Sequence, residues 1–201
     1  MQRSAPNLMF LWVPLVVLGA GVGIYYLFEA VWGRPVDENQ YDRFIYEAAV
    51  RHNVPPLLVK AVIWRESKFD SLARGGVGEI GLMQIRSDMA VLDWTRETGN
   101  PLPDQAALFV PELNIEIGTW YLAKALRKWG EYPEAKFKLA LAHYNAGGEK
   151  AKRWKPATFR DDLKYAKIDI AVTREYVPTI INRWKKVYEK QYNARKGEGQ
   201  P

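Results

Sequence analysis

Residues 59–70 read VKAVIWRESKFD, and the glutamate in this stretch decides how we interpret the whole chain. At 3.6 residues per turn, Val59, Val62 and Ile63 line one stripe of a helix, and Glu66 falls on the same stripe. A carboxyl group held among aliphatic side chains resists ionisation, because desolvation disfavours its charged form. Such a glutamate suits general acid catalysis near neutral pH. The helical pattern by itself leaves a salt-bridged surface glutamate open as the alternative.

The surrounding sequence predicts a mostly helical domain. The helix of Glu66 starts at Pro56, and its basic residues Lys60, Arg65 and Lys68 fall off the apolar stripe, so we expect them to reach water. Residues 71–81, SLARGGVGEIG, contain four glycines and predict a loop that forms one wall of a cleft. Another short helix is expected to begin at Leu82. Further helices are predicted over 37–51, 111–130, 134–145 and 169–192, with Asp37 capping the first and a basic loop at 150–155.

A long uncharged run precedes this domain. The 21 residues LMFLWVPLVVLGAGVGIYYLF begin at Leu8 and end at Phe28. A helix of that length spans about 31 Å, which matches the hydrocarbon core of a bilayer. We therefore predict a membrane-spanning helix, with a cleavable signal peptide as the alternative. The basic residue Arg3 and the terminal amine favour a cytoplasmic N-terminus, which places the domain outside the cytoplasm.

Charge is unevenly distributed and limits the partners. Residues 1–120 hold 10 Lys and Arg against 14 Asp and Glu, whereas residues 121–201 hold 19 against 9. The basic second half suits an anionic polymer or lipid headgroups. Because the sequence has no nucleic-acid recognition motif, no phosphate-binding glycine loop and only two histidines, we expect no nucleic-acid partner, no metal and no cofactor. The absence of cysteine excludes a disulfide framework.

Five short motifs together resemble a known family. They are Glu66-Ser67, GLMQI at 81–85, Asn114-Ile115 with Gly118 and Tyr121-Leu122, YNAG at 144–147, and TREYV at 173–177. Their order is similar to the signature of the soluble-lytic-transglycosylase (SLT) family, glycoside hydrolase family 23. The resemblance extends from about residue 44 to 184. It implies a lysozyme-like helical fold. Together with the uncharged run at 8–28, the predicted fold class is a mostly α, lysozyme-like domain with one N-terminal transmembrane helix.

The resemblance also implies an activity. The family cleaves the β-1,4 bond between N-acetylmuramic acid and N-acetylglucosamine in peptidoglycan and leaves 1,6-anhydro ends. Ordinary glycosidases need two carboxylates. Here Glu66 would first protonate the glycosidic oxygen and then remove the proton of the C6 hydroxyl, while the 2-acetamido group stabilises the positively charged sugar.

The remaining site residues follow from the same resemblance. Ser67 would orient the glycan or the carboxyl group of Glu66, although it is also a polar residue at a helix end. Tyr176 would donate a hydrogen bond to Glu66. The other positions would contact the sugars from the walls of the cleft: Met83, Gln84, Tyr144 and Asn145. For Met83 the alternative is a place in the core, and for Tyr144 and Asn145 it is a core aromatic with a capping amide.

The chain departs from the family pattern in three places. Glu79 replaces a small residue, Arg86-Ser87-Asp88 replaces the usual continuation, and His143 stands where alanine is frequent. Glu79 and Asp88 are therefore candidates for a second carboxylate. One of them at about 6.5 to 9.5 Å from Glu66 would permit hydrolysis by water, as in goose-type lysozymes. We favour exposed loop charges at both positions.

The chain thus predicts a single-pass protein of the bacterial inner membrane with a periplasmic lytic transglycosylase domain. Peptidoglycan strands are the expected substrate, the membrane is contacted through Leu8 to Phe28, and proteins of an envelope assembly are a further partner class. A hydrolytic muramidase and a non-catalytic glycan-binding scaffold are the alternatives. The predicted organisation is a cytoplasmic N-terminus, a span, a linker, the domain and a disordered tail, at 1–7, 8–28, 29–36, 37–192 and 193–201.

Overall fold

A computed structural model describes residues 36–197, which fold mostly as helices. The α-helices in this range are α1 (Asp42–His52), α2 (Pro56–Ser67), α3 (Leu92–Thr98), α4 (Pro111–Lys128), α5 (Lys136–Ala146), α6 (Gly148–Trp154), α7 (Ala171–Asn182) and α8 (Glu189–Gly197). A short hairpin is formed by β1 (Glu79–Ile80) and β2 (Ile85–Arg86). Short π-helical and 3-10 segments complete the chain, the former at Ser87–Val91 and Arg183–Tyr188 and the latter at Ala107–Phe109 and Tyr165–Lys167.

Helix α2 occupies the core of the domain. It contacts α1, α7 and the π-helical segment Arg183–Tyr188, and its middle residues Leu58 to Ile63 are buried on every side. A helix that is apolar around most of its circumference is stable only when it is surrounded in this way. Pro56 occupies its first turn, and Lys68, in the left-handed conformation at φ 54°, ends it. Glu66 is therefore held in the last turn of a tightly packed helix.

Lys60 was expected to reach water, and this expectation is wrong. The residue is 6% exposed, because its Nζ donates to Asp42 Oδ1 at 2.6 Å and to Asn39 Oδ1 at 2.7 Å. A buried ammonium is tolerated when it is paired and hydrogen-bonded in this manner. The pairing joins α2 to the start of α1. That helix begins at Asp42 rather than Asp37, whose carboxylate instead accepts the N–H of Asn39 in the preceding turn.

The segment after the glycine loop forms a hairpin instead of the predicted start of a helix at Leu82. Glu79 pairs with Arg86 and Ile80 pairs with Ile85 in an antiparallel register. Positive φ angles at Gly81 (73°) and Gln84 (46°) turn the chain sharply between the two strands. Helical structure resumes only after Arg86, in the π-helical segment that leads into α3.

Residues 150–155 are also more regular than predicted. They belong largely to helix α6, which starts after Gly147, a residue at φ 88°. Ala151 and Trp154 are buried and lie three residues apart, so they fix one face of this helix against the core. Its basic residues occupy the opposite, exposed face.

The last helical stretch runs from α7 through a π-helical segment into α8, which reaches Gly197. Residues 193–197, assigned from the sequence to a disordered tail, are therefore helical, and residues 198–201 lie outside the described part. The predicted span over residues 8–28 lies outside it as well. Within residues 36–197, no helix has the length and apolar character needed to cross a bilayer.

Candidate active site

A cavity of about 520 Å³ opens beside the end of α2. The glycine loop and the β1–β2 hairpin form one wall, and the C-terminal end of α5 with the start of α6 forms the other. Its size falls within the range typical of ligand sites. The polar and aromatic side chains that line it include Glu66, Glu79, Gln84, Tyr121, Tyr144 and Asn145.

Glu66 lies at the bottom of this cavity with its side chain mostly surrounded by protein. The Tyr176 hydroxyl donates a hydrogen bond to Glu66 Oε1 at 2.5 Å. Burial raises the pKa of Glu66 from 4.5 to about 7, against the opposing effects of the Tyr176 hydrogen bond and the Arg65 charge. A carboxyl group with this pKa is populated in both protonation states near neutral pH, so it can give up a proton and take one back.

Two tyrosines, Tyr176 fully buried and Tyr144 partly buried, fix the surroundings of Glu66. Tyr176, on α7, is 1% exposed, and Tyr144, on α5, donates its hydroxyl proton to the backbone oxygen of Met83 at 2.8 Å. Burial, together with the nearby Glu66 charge, raises the pKa of both phenols well above 10. Both hydroxyls therefore stay protonated, and each acts as a fixed donor.

Gln84 is held at the cavity by the backbone that precedes it. Its Nε2 donates to the carbonyl oxygen of Gly81 at 2.9 Å and to that of Ala73 at 3.3 Å. Among the described residues, no donor reaches its Oε1, which is thus free to accept a hydrogen bond from a ligand in the cavity. The positive φ of Gln84 is part of the sharp turn that aims the side chain there.

Met83 lies beneath the cavity rather than in its wall. The side chain is fully buried and packs on Gly118 of α4, where an added Cβ would come within 2.5 Å of its sulfur. The predicted sugar contact by Met83 is therefore replaced by packing in the core. The residue still affects the site, because its backbone oxygen anchors Tyr144.

Asn145 and Ser67 differ in their relation to the cavity. The Thr173 hydroxyl donates to Asn145 Oδ1 at 2.7 Å, which leaves the amide nitrogen of Asn145 to face the cavity. Ser67 instead donates to the backbone oxygen of Ile63 at 3.3 Å, within its own helix. The structure thus brings Glu66, Gln84, Tyr144 and Asn145 to one cavity and places Ser67 behind it.

The two candidates for a second carboxylate, Asp88 and Glu79, lie in different surroundings. Asp88 is exposed and paired with Arg86 at 2.6 Å, as expected for a loop charge. Glu79, by contrast, lines the same cavity as Glu66, and its negative charge contributes to the raised pKa of Glu66. Glu79 is therefore half-buried in strand β1 at the cavity, whereas an exposed charge in a loop was expected.

Asn114 is a site residue whose role the sequence did not reveal. Fully buried, it accepts the Met83 N–H at 2.8 Å through Oδ1 and donates through Nδ2 to the backbone oxygens of Ile80 and Leu108, at 2.9 and 2.7 Å. One side chain thus joins strand β1, the hairpin turn and the 3-10 segment Ala107–Phe109 to α4. Its signal in the sequence is a polar residue in the middle of the apolar pattern of that helix.

Comparison with known proteins agrees with this geometry. The family model described as "Transglycosylase SLT domain" matches residues 43–166, more than half of the chain. The chain belongs to the transglycosylase SLT family. Membrane-bound lytic murein transglycosylase C of Actinobacillus pleuropneumoniae serotype 5b (strain L20) is 33% identical over 116 residues, covering 56% of this chain and 32% of the relative. Membrane-bound lytic murein transglycosylase F of Desulfosudis oleivorans is 36% identical over 105 residues, covering 51% and 21%.

Solved structures of the SLT type share the fold. An inactive mutant of the lytic transglycosylase Slt from Pseudomonas aeruginosa superimposes with a TM-score of 0.67 at 28% identity, covering 78% of this chain and 25% of that one. The 70 kDa soluble lytic transglycosylase of Escherichia coli gives a TM-score of 0.63 at 23% identity, covering 73% and 24%. The prediction of a mostly helical, lysozyme-like domain is confirmed. This SLT chain spans between a fifth and a third of the length of these relatives.

Proposed function

We propose that the chain is a peptidoglycan lytic transglycosylase in which Glu66 acts first as acid and then as base. The observation that carries the proposal is a mostly buried glutamate at the bottom of a cavity with a pKa of about 7 and a tyrosine hydroxyl bonded to one oxygen. Family membership and the lytic murein transglycosylases among its relatives support the same activity.

In the first step, protonated Glu66 donates to the glycosidic oxygen as the bond from that oxygen to C1 of N-acetylmuramic acid breaks. The oxocarbenium-like sugar is stabilised by its own acetamido oxygen. Glu66, now ionised and stabilised by the Tyr176 hydroxyl, then accepts the proton of the C6 hydroxyl as that oxygen bonds to C1. A 1,6-anhydro end forms, and Glu66 is again protonated for the next cycle.

The cavity walls supply complementary contacts for N-acetylated sugars. The free Oε1 of Gln84 is placed to accept from an acetamido N–H, and the free amide nitrogen of Asn145 to donate to a carbonyl or hydroxyl oxygen. Tyr121 and Tyr144, whose rings lie 5.6 Å apart, offer aromatic surface to a sugar face. Ser67 and Met83 do not line the cavity, and Met83 contributes by holding the Tyr144 hydroxyl through its backbone oxygen.

We further propose that residues 8–28 anchor the protein in the bacterial inner membrane, with the SLT domain in the periplasm. The uncharged 21-residue run and the names of the membrane-bound relatives support this arrangement. The linker that the sequence predicts at residues 29–36 is short, so in this proposal the cavity would work on glycan close to the membrane surface. Proteins of an envelope assembly would then be within reach as partners.

The decisive experiment compares Glu66→Gln with wild type on purified peptidoglycan. Cleavage should fall by ~10³-fold or more, because the amide can neither donate nor accept the transferred proton. Glu131→Gln is the matched control, since Glu131 is an exposed carboxylate outside the cavity. Unchanged cleavage by the Glu66 variant would end the assignment. Binding of glycan without cleavage by wild type would favour a non-catalytic scaffold.

Hydrolysis is the second candidate, and the presence of Glu79 in the cavity favours it. A second carboxylate can activate water in place of the C6 hydroxyl. Mass analysis of the released glycan separates the two reactions, because an anhydro end is lighter by one water than a reducing end. The lytic transglycosylase assignment requires anhydro ends that disappear in Glu66→Gln.

A further inference from the structure

The β1–β2 hairpin holds Glu79 in a defined position at the cavity. The Val77 N–H donates to Glu79 Oε2 at 3.0 Å, and the Gly75 N–H donates to the backbone oxygen of Glu79 at 2.9 Å. A Cβ at position 75 would lie 2.2 Å from Oε2, so a residue without a side chain is required beside the carboxylate. The glycine loop therefore packs around this carboxylate and holds it in one position, unlike a surface charge without fixed contacts.

The charge of Glu79 is not neutralised by its nearest basic neighbour. Arg86 lies directly opposite Glu79 in the hairpin register and also lines the cavity. Its guanidinium, however, makes two hydrogen bonds to Asp88, from Nε at 3.0 Å and from Nη2 at 2.6 Å. Within residues 36–197, no ion pair of Glu79 is formed. Arg86 is thus hydrogen-bonded to Asp88 rather than to Glu79. The cavity contains a second carboxylate that no salt bridge among the described residues holds, although the cationic side chains of Arg86 and Lys150 line the same cavity.

We infer that Glu79 is a second functional carboxylate of the cleft, which stabilises the positive charge on the sugar ring while Glu66 transfers the proton. This inference rests on the proposed function. Glu79 forms no bond and takes no proton. The bond between C1 and the glycosidic oxygen breaks as the proton of Glu66 moves to that oxygen. The positive charge is then shared by C1 and the ring oxygen. The C6 hydroxyl gives its own proton to Glu66 as the C6 oxygen bonds to C1.

A fixed negative charge fits both demands of this reaction. The transition state carries positive charge that the ground state lacks, so a pre-oriented carboxylate stabilises it selectively. The same charge opposes ionisation of Glu66 and so helps to keep the acid protonated before the first step.

Glu79→Gln tests the inference, because the amide oxygen can still accept the Val77 N–H while the charge is lost. With peptidoglycan as substrate, kcat should fall ~10- to 100-fold. The alkaline limb of the pH–kcat profile should move to lower pH, since removing a like charge lowers the pKa of Glu66. A role confined to holding the loop would leave this limb in place.

Asp88→Asn is a second, independent test on an exposed residue. It releases Arg86, which can then pair across the hairpin with Glu79, so kcat should fall and the alkaline limb should shift in the same direction as in Glu79→Gln. Glu131→Gln should behave as wild type. Circular dichroism spectra check that each variant is folded.

The inference fails if Glu79→Gln retains the wild-type kcat, or loses activity without a shift of the alkaline limb. If wild type cleaves, Glu66→Gln does not, and Glu79→Gln equals wild type, the role of Glu79 is overturned and the proposed function stands. A wild-type protein that cleaves no glycan overturns the proposed function and this inference with it.

Discussion

At the scale of single residues, the protonation of Glu66 is set by opposing contacts. Burial at the end of α2 raises its pKa, whereas the hydroxyl of Tyr176 and the charge of Arg65 lower it. A carboxyl group in an apolar site without these two contacts would hold its proton more tightly. It would then be a poor base for the second step. The pKa of about 7 thus reflects a balance that serves both steps of the proposed reaction.

Tyr176→Phe tests this balance. Loss of the hydroxyl removes a hydrogen bond that favours the ionised form, so the pKa of Glu66 should rise and the alkaline limb of the pH–kcat profile should move to higher pH. We expect kcat at pH 7 to fall ~10-fold, because the ionised Glu66 loses its orienting partner. The measurement is the pH profile of peptidoglycan cleavage, with Tyr192→Phe, an exposed tyrosine, as control. A shift toward lower pH would contradict the assigned role of the hydroxyl.

The sequence indicated the roles of Glu66 and Tyr176 but not those of Asn114 and Thr173, although both belong to the quoted motifs. Glu66 is visible because a charge on an apolar helical stripe is unusual, and Tyr176 through its place in the TREYV motif. Asn114 and Thr173 act on partners 31 and 28 residues away, so their roles depend on which segments meet in space. Local patterns carry no such information.

At the scale of elements, one wall of the cavity depends on α4, which holds the hairpin turn in place. Asn114 binds the hairpin by two hydrogen bonds, to Met83 and Ile80, and the 3-10 segment by a third, to Leu108. Gly118, one helical turn later, gives Met83 the space to pack against the helix. The turn could not be predicted from a helical pattern, because the apolar residues of LMQI are buried by a sharp reversal of the backbone. Likewise, the many basic residues of α6 led to the prediction of a loop, although Ala151 and Trp154 have the spacing of a buried helical face.

Gly118→Ala tests this packing. The added Cβ would lie 2.5 Å from Met83 Sδ and 2.7 Å from Met83 Cβ, so the turn must move away from α4. Overpacking of this kind costs ~1 to 3 kcal/mol, and we expect a lower urea midpoint together with reduced cleavage. For the urea midpoint, Gly76→Ala is the matched control, since no atom lies within 4 Å of its added Cβ. Equal urea midpoints for the two variants would show that α4 and the turn tolerate separation.

At the scale of the whole molecule, two buried groups give the stability opposite dependences on pH. Burial and the Lys128 and Lys124 charges lower the pKa of His143 from 6.5 to about 4. The folded protein therefore binds fewer protons at His143 than the unfolded chain, and the stability contributed by this group is lost as pH falls from 6.5 to 4. Glu66 behaves in the opposite way. With a folded-state pKa of about 7 against 4.5, it binds more protons when folded, so its contribution to stability is lost as pH rises.

Glu66→Gln should separate these two contributions. The amide has no proton to lose and can still accept the Tyr176 hydroxyl, so the variant should match wild type near pH 4. It should exceed wild type by roughly 3 kcal/mol at pH 8 in the free energy of unfolding. Between pH 4 and 6.5 the variant should gain stability through His143, whereas the wild-type curve is flatter because Glu66 opposes that gain. Urea unfolding of the full chain from pH 4 to pH 8 provides the measurement. Glu131→Gln is expected to follow wild type. The prediction is contradicted if the free energies of unfolding of Glu66→Gln and wild type differ by the same amount at every pH. Glu66 would then ionise as readily in the folded protein as in the unfolded chain. The acid proposed to cleave the glycan would already have lost its proton at neutral pH.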